Sequence, residues 1–387
     1  MTDDAPRQPL AGVTVLDFTT LLPGPLATLL LAEAGATVIK VERPDVGDEL
    51  RIYPPPRWTE SGDTAAFALL NRGKRSIAID LKDEGERARL TPLLERADVL
   101  VEQFRPGVMA RLGLDYETLA GANPKLVYCA VTGWGQSGPM KDHAGHDLNY
   151  IAETGLLALG GAGADGAPLP PPGLIADIGG GALPAVVNIL LALREAERTG
   201  RGRYLDVAMV DGVMSWQWWA QAAAQITGRA PAGGGALLTG GSPRYRVYRT
   251  ADDRFLAVAP LEQRFWDAFC QAIDLPEALR DDAHDPAATA AAVAEILGRR
   301  SAAAWEERFR GLDVCVTAVK SVADAPAHPH FRARGLFERE VRAGRDADAP
   351  AMTALPTPID ASFKPADKSA AAPRLGEDTD ALAPRRD

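Results

Sequence analysis

Short apolar runs alternate with capped or amphipathic segments along residues 13–133, and that alternation restricts the fold more than any other feature of the chain. The runs at 13–19, 37–42, 75–81, 98–104 and 126–133 are rich in Val, Ile and Leu and have strand length. Between them, 25–34, 83–97 and 106–112 read as helices, the first stopped by Gly35 and the second capped by Asp83. Strands alternating with helices make βαβ units, whose strands lie parallel because each crossover returns over a sheet face. The expected fold class is α/β, with a large doubly wound, Rossmann-like domain.

Further on, 178–199 reads as one long helix, apolar first and charged later, ended by Gly200; Pro184 either kinks it or marks its true first turn. A strand at 204–209 and a helix at 211–226 carrying Trp216, Trp218 and Trp219 follow. The glycines at 233–235, then Gly240 and Gly241, mark a linker. Beyond it, 244–250 and 254–259 flank Ala251-Asp252-Asp253 as a hairpin, and helices are expected at 261–273, 287–299 and 302–309. The expected organisation is a large domain at 1–230, a linker at 231–243, a small α+β domain at 244–320 and a return linker at 321–347. The segment 348–387, rich in Pro and Ala without a clear core, is expected to lie back across the large domain.

Composition excludes several classes. With 387 residues, 46% of them apolar, the chain can build a full core, and a net charge of −10 without any basic stripe argues against nucleic acid as the main partner. Cys129, Cys270 and Cys315 are odd in number, far apart and without metal spacing, which fits a reduced, cytoplasmic setting. The amino terminus is acidic and has no apolar signal region, and apolar runs such as 182–193 are too short and interrupted to span a membrane. Gly161 to Gly166 matches G-x-G-x-x-G, but it follows a helical stretch and runs into prolines, so the strand–turn–helix a dinucleotide needs is missing. His328 and His330 lack a third ligand nearby, so no metal site is expected.

Two stretches bring candidate proton carriers. Gly145-His146-Asp147 sets an imidazole beside a carboxylate at a loop-to-helix junction, and Ala176-Asp177-Ile178 sets a second acid in an apolar turn followed by three glycines. His146 alone also reads as a structural capping residue, and Asp147 as a first-turn acid favoured by the helix dipole; Glu262, at another helix start, has the same plain reading. Asp177 is harder to explain as surface charge, because glycines let a backbone or ligand approach closely. Arg43, Arg72, Lys74, Arg75 and Arg105 form a basic set; Arg43 and Arg105 follow strands, where open α/β sheets bind ligands. Arginine suits phosphate oxygens, and a solvated rim of charge fits these positions equally well.

At these residues the chain resembles the family III CoA-transferase superfamily and, within it, the alpha-methylacyl-CoA racemases. The resemblance runs from Leu10-Ala11-Gly12-Val13 through Val101-Glu102-Gln103-Phe104-Arg105-Pro106-Gly107, Thr132-Gly133-Trp134-Gly135-Gln136-Ser137-Gly138-Pro139 and Leu261-Glu262-Gln263 to Pro373-Arg374-Leu375-Gly376-Glu377. It implies an acyl-CoA thioester substrate, with His146 and Asp177 as the two proton carriers and the backbone N–H of Asp147 facing the enolate oxygen. It further implies that Arg43, Arg72, Lys74, Arg75, Arg105 and Gly145 hold coenzyme A. An interlocked homodimer follows too, in which Glu262 of one chain reaches the histidine of the other, with no cofactor apart from the coenzyme A of the substrate. The implied activity is racemisation of 2-methylacyl-CoA thioesters in lipid metabolism. Glu153-Thr154 departs from the racemase pattern of a small apolar residue and Ser; a Glu153 facing the acyl pocket would favour a more polar acyl chain or a different reaction, and one facing solvent would change nothing. Two alternatives stay open: a CoA transferase with Asp147 as nucleophile, and a thioester-binding protein without chemistry.

Overall fold

The computed structural model describes residues 8–53, 57–58, 62–346 and 348–385; the acidic residues 1–6 read above lie outside them. Contacts divide the chain into two units. The first is Met1–Thr154, Pro172–Trp216 and Arg332–Asp387, and the second is Gly155–Pro171 and Gln217–Phe331.

The first unit is built on a six-stranded parallel sheet of β1 (Thr14–Phe18), β2 (Thr37–Glu42), β3 (Arg75–Ala78), β4 (Val99–Glu102), β5 (Val127–Thr132) and β6 (Tyr204–Ala208). The spatial order is β3-β2-β1-β4-β5-β6, so the winding reverses between β1 and β4. Both faces are covered, which is why the strands read as unbroken apolar runs. Every residue of β4 and β5 is buried, and Leu16, Ile39, Ile77, Leu100 and Tyr128 meet in one core. In open sheets of this kind, ligands bind outside the carboxyl ends of the strands at the reversal point.

Helix α1 (Pro23–Glu33) follows β1 and α2 (Ala65–Asn71) precedes β3. The helix expected at 83–97 is broken into Glu84–Ala88 and Thr91–Leu94, because Pro92 offers no N–H to continue the first. Helix α3 (Asp147–Glu153) begins at the candidate site. The long helix expected at 178–199 is two elements: a π-helical turn, Ala176–Ala182, leads into α4 (Leu183–Thr199), with Pro184 in the first turn of α4. Together they form a 24-residue stretch that is long and apolar enough to cross a bilayer by length and composition, although half of its most apolar window is buried within the protein. That corrects the reading of its apolar run as too short. The helix expected at 211–226 is likewise two, α5 (Met209–Ser215) and α6 (Trp218–Thr227), and the boundary between the units falls between them.

Glycines allow the π turn to pack against α5. A Cβ on Gly180 would stand 2.3 Å from the Met209 carbonyl oxygen, and one on Gly179 would stand 2.0 Å from the Trp216 ring. A Cβ on Gly212, from the other side, would meet the Gly180 carbonyl oxygen at 2.5 Å. No side chain fits between these backbones.

The second unit holds an antiparallel sheet of β7 (Arg246–Arg249), β8 (Phe255–Val258) and β9 (Val316–Ala318). Helices α7 (Gln263–Ala272), α8 (Pro286–Leu297) and α9 (Ala302–Arg308) accompany it. Trp266 and Trp305 fill its core, and each buried indole N–H donates to a carbonyl, those of Arg280 at 2.7 Å and Leu297 at 2.9 Å. The segment 155–171 belongs to this unit although it lies inside the stretch 1–230 in sequence, and Gly161 to Gly166 forms a turn there.

The carboxyl-terminal segment returns to the first unit. It adds a small sheet of β10 (Glu340–Arg342), β11 (Ala351–Thr353) and β12 (Ser369–Ala371) with its own buried cluster of Ala68, Val341, Ala354 and Ala372. Its last turn caps the edge of the large sheet, where Asp378 and Thr379 side chains accept N–H groups of Ser76 and Ala78.

Candidate active site

A cavity of about 270 Å³ opens in the first unit at the carboxyl ends of β1, β4 and β5, at the reversal of strand order. Leu21 and Pro23 line it from the loop after β1, Gln103 to Pro106 from the loop after β4, and Gly133 and Trp134 from the loop after β5. Lys141, His143, Gly145, His146, Tyr150 and Asp177 complete the polar wall.

His146 takes the position before α3 with its backbone extended, and the Asn149 side chain accepts its N–H at 3.0 Å. Its imidazole is exposed at the cavity. Asp147 is the first residue of α3, so its own N–H is among those with no acceptor inside the helix. The Asp147 side chain is buried, and its Oδ1 accepts the backbone N–H of Asp177 at 3.0 Å. That bond ties the start of α3 to the start of the π turn. It also puts a carboxylate beside Asp177.

Asp177 feels that arrangement directly. Burial, then the negative charge of Asp147, push its carboxyl up to about 6, and His146 opposes the shift. A group there holds or releases a proton near neutrality. Tyr150 sits beneath, its ring so close to Gly133 and Gly145 that a Cβ on either would stand 2.3 or 2.7 Å from it. Its hydroxyl donates to the Gly145 carbonyl at 2.6 Å, and burial, then Asp177 and Asp147, push that phenol up to about 12. Tyr150 is therefore a fixed donor that holds Gly145, and Trp134 meets its ring edge-on at 5.0 Å.

The basic set divides sharply. Arg105 is exposed and lines the cavity. Arg43 is exposed and paired with Glu49 at 2.6 Å, and Arg75 is exposed at the start of β3, away from the cavity wall. Arg72 and Lys74, expected to hold phosphates, are buried and paired and do not line the cavity. Arg72 is buried on Glu33 through its Nε at 3.0 Å. Lys74 is buried with its Nζ donating to Asp17, Thr28, Asn71 and the Pro25 carbonyl at 2.8 to 3.0 Å. Burial lowers the Lys74 ammonium to about 8 despite the Asp17 carboxylate. Burial alone would raise Asp17, but Lys74 and Lys40 hold it well below the usual carboxylate range. These charges brace the sheet. Lys141 adds an ammonium and His143 an imidazole to the cavity wall; sequence reasoning passed over both, although they share with His146 one loop after the carboxyl end of β5.

Glu153 is exposed and does not line the cavity. Glu262 lies in the second unit, where it precedes the first turn of α7.

The model of CoA-transferase family III matches residues 10–379. The chain belongs to that family. Human alpha-methylacyl-CoA racemase is 35% identical over 92% of this chain and 89% of its own length. Acetyl-CoA:oxalate CoA-transferase of Acetobacter aceti is 36% identical, covering 86% of each chain. The crystal structure of a CAIB/BAIF family protein from Brucella suis superposes with a TM-score of 0.82 at 29% identity, over 97% of this chain and 98% of that one. The protein is thus an enzyme of the family III CoA-transferase and racemase class, for which an acyl-CoA substrate is implied. Racemases and transferases stand at similar identity to it.

Proposed function

We propose that this enzyme interconverts the epimers of 2-methylacyl-CoA thioesters by moving the α-proton between His146 and Asp177. The observation that carries the reading is that both groups line one cavity and that Asp177 is raised to about 6. A general acid–base works best when its pKa lies near the operating pH. One carrier takes the α-proton and leaves an enolate; the other returns a proton to the opposite face, and the roles exchange in the reverse direction. The N–H of Asp147 at the start of α3 is the donor for the enolate oxygen.

Arg105, Lys141 and His143 line the same opening and suit the phosphates of coenzyme A. A 1,1-proton shift moves no electrons between molecules, so coenzyme A enters as part of the substrate and no separate cofactor is called for. Glu153 leaves the cavity wall apolar where Leu21, Pro23, Phe104 and Met209 stand, which favours a branched apolar acyl chain. We further propose a cytoplasmic homodimer in which Glu262 of a second copy approaches His146. Val187, Leu190 and Leu191 are exposed on α4, an apolar surface suited to such an interface.

One observation favours a second reading, CoA transfer with Asp147 as nucleophile: the Acetobacter transferase is as similar to this chain as the human racemase. The two separate cleanly in a reaction given a single-epimer 2-methylacyl-CoA and no carboxylic acid. Loss of optical purity under those conditions supports the isomerase. Turnover only when a carboxylic acid acceptor is added overturns it.

A further inference from the structure

The loop between β1 and α1 carries an oddity at the cavity wall. Leu21 has φ of 63°, the left-handed region that a branched aliphatic residue avoids, and it lines the cavity with His146 and Asp177. Such strain persists only where surrounding structure imposes it. A buried ion pair stands against this loop. Lys40 and Asp48, both with fully buried side chains, pair at 2.9 Å. The Lys40 ammonium donates to the Thr19 carbonyl at 2.7 Å, and Asp48 Oδ1 accepts the Leu21 N–H at 3.0 Å. One ion pair therefore grips the loop on both sides of Thr20. Downstream the Gln103 side chain, itself on the cavity wall, accepts the Gly24 N–H at 3.1 Å.

We propose that Asp48, locked by Lys40, is a positioning residue that holds Leu21 in its left-handed conformation and so sets one wall of the acyl-CoA cavity. Asp48 does not line the cavity; it acts through the Leu21 backbone. The inference rests on the reading of the cavity as the acyl-CoA site. If Leu21 loses its anchor, its backbone relaxes to a negative φ and the wall moves, so only part of the population stays competent to bind.

The test is a double-mutant cycle on Asp48→Ala and Leu21→Gly. It measures KM and kcat for α-proton exchange from a single-epimer 2-methylacyl-CoA, with calorimetric binding of free coenzyme A in parallel. Asp48→Ala is expected to raise KM about tenfold, with a smaller change in kcat, because the strained loop becomes a minority conformer. In the Leu21→Gly background the same substitution is expected to change KM less than twofold, since glycine takes a positive φ without strain and needs no anchor. Asp48→Asn is expected to give the same pattern at lower amplitude and stands in if the alanine variant does not fold. A KM rise that persists undiminished in the Leu21→Gly background overturns the proposal and leaves Asp48 a general stabiliser of the fold. If the wild type exchanges no proton while the coenzyme A affinities still show the coupling, the isomerase reading fails and the clamp stands. Coenzyme A affinities without coupling remove the clamp alone.

Discussion

Replacing Asp147 with Asn keeps an oxygen that can accept the Asp177 N–H, now 3.0 Å from Asp147 Oδ1, but removes the negative charge beside the Asp177 carboxyl. Asp177 stands at about 6 instead of 3.8, with burial the larger cause and the Asp147 charge the next. Removing the second cause is expected to lower Asp177 by about one pH unit, since a like charge nearby disfavours ionisation. The sign follows from the proposed role of Asp177 as a proton carrier. For the epimer whose α-proton Asp177 removes, the ionised form is the active one, so kcat/KM rises with pH through the Asp177 pKa. At pH 5 the ionised fraction goes from about one tenth to about one half on moving that pKa down one unit, a gain of about fivefold in competent enzyme. The assay is the pH profile of kcat/KM for that epimer, normalised to its plateau, for wild type and Asp147→Asn. An acid limb near 6 that moves to near 5 agrees with the argument. A limb that stays in place, or moves up, refutes the electrostatic account of Asp177. Loss of all turnover, with a coenzyme A adduct trapped only on wild type, points instead to Asp147 as a nucleophile.

The structure carries other tests. Asp177 has a folded pKa above its unfolded value, so its stabilising share is present below about pH 4 and is lost as pH rises through about 6; Asp177→Asn is therefore expected to be more stable than wild type at pH 8 by about 2 kcal/mol, with the gap closing at pH 4 in urea titrations. Gly180→Ala drives a Cβ to within 2.3 Å of the Met209 carbonyl, and is expected to cost about 3 kcal/mol or more and to abolish turnover by displacing the π turn, as read by thermal unfolding and activity together. Arg72→Met removes the shorter ion pair of buried Glu33, leaving it the Lys364 ammonium at 3.8 Å and the Thr357 hydroxyl, and is expected to destabilise the fold by about 2–3 kcal/mol. Arg105→Ala, at an exposed site, is expected to raise the KM for an acyl-CoA with stability changed by less than about 0.5 kcal/mol.

The parallel sheet was legible because its strands are buried on both faces and read as continuous apolar runs, punctuated by Gly35 and the Asp83 cap. The π turn was not. Residues 178–199 carry a pattern that fits one helix, and only the approach of the Trp216 ring to Gly179 and of the Met209 carbonyl to Gly180 explains the glycines after Ile178. The basic set shows the same divide. Arg72 and Arg105 look alike along the chain, yet Arg72 is spent on Glu33, 39 positions away, and Lys74 on Asp17, 57 positions away. Long-range pairing of that kind leaves no local mark. His146 and Asp177 stood out as residues, but the bond between the Asp147 carboxylate and the Asp177 N–H spans 30 positions and needed the fold. Lys141 and His143 were readable in principle as polar side chains in the loop that carries His146, and Leu21 was not, because its strain belongs to the backbone.

Proton passage between His146 and Asp177 leaves a mark on the α-carbon of an acyl-CoA thioester. The most direct measurement is NMR of a single-epimer 2-methylacyl-CoA incubated in D₂O with wild type and with His146→Ala. Deuterium is expected at the α-carbon together with loss of stereochemical purity in wild type, and neither change in the variant at matched folded protein. An α-proton that stays unexchanged with wild type, or that exchanges equally well in His146→Ala, contradicts that proton passage.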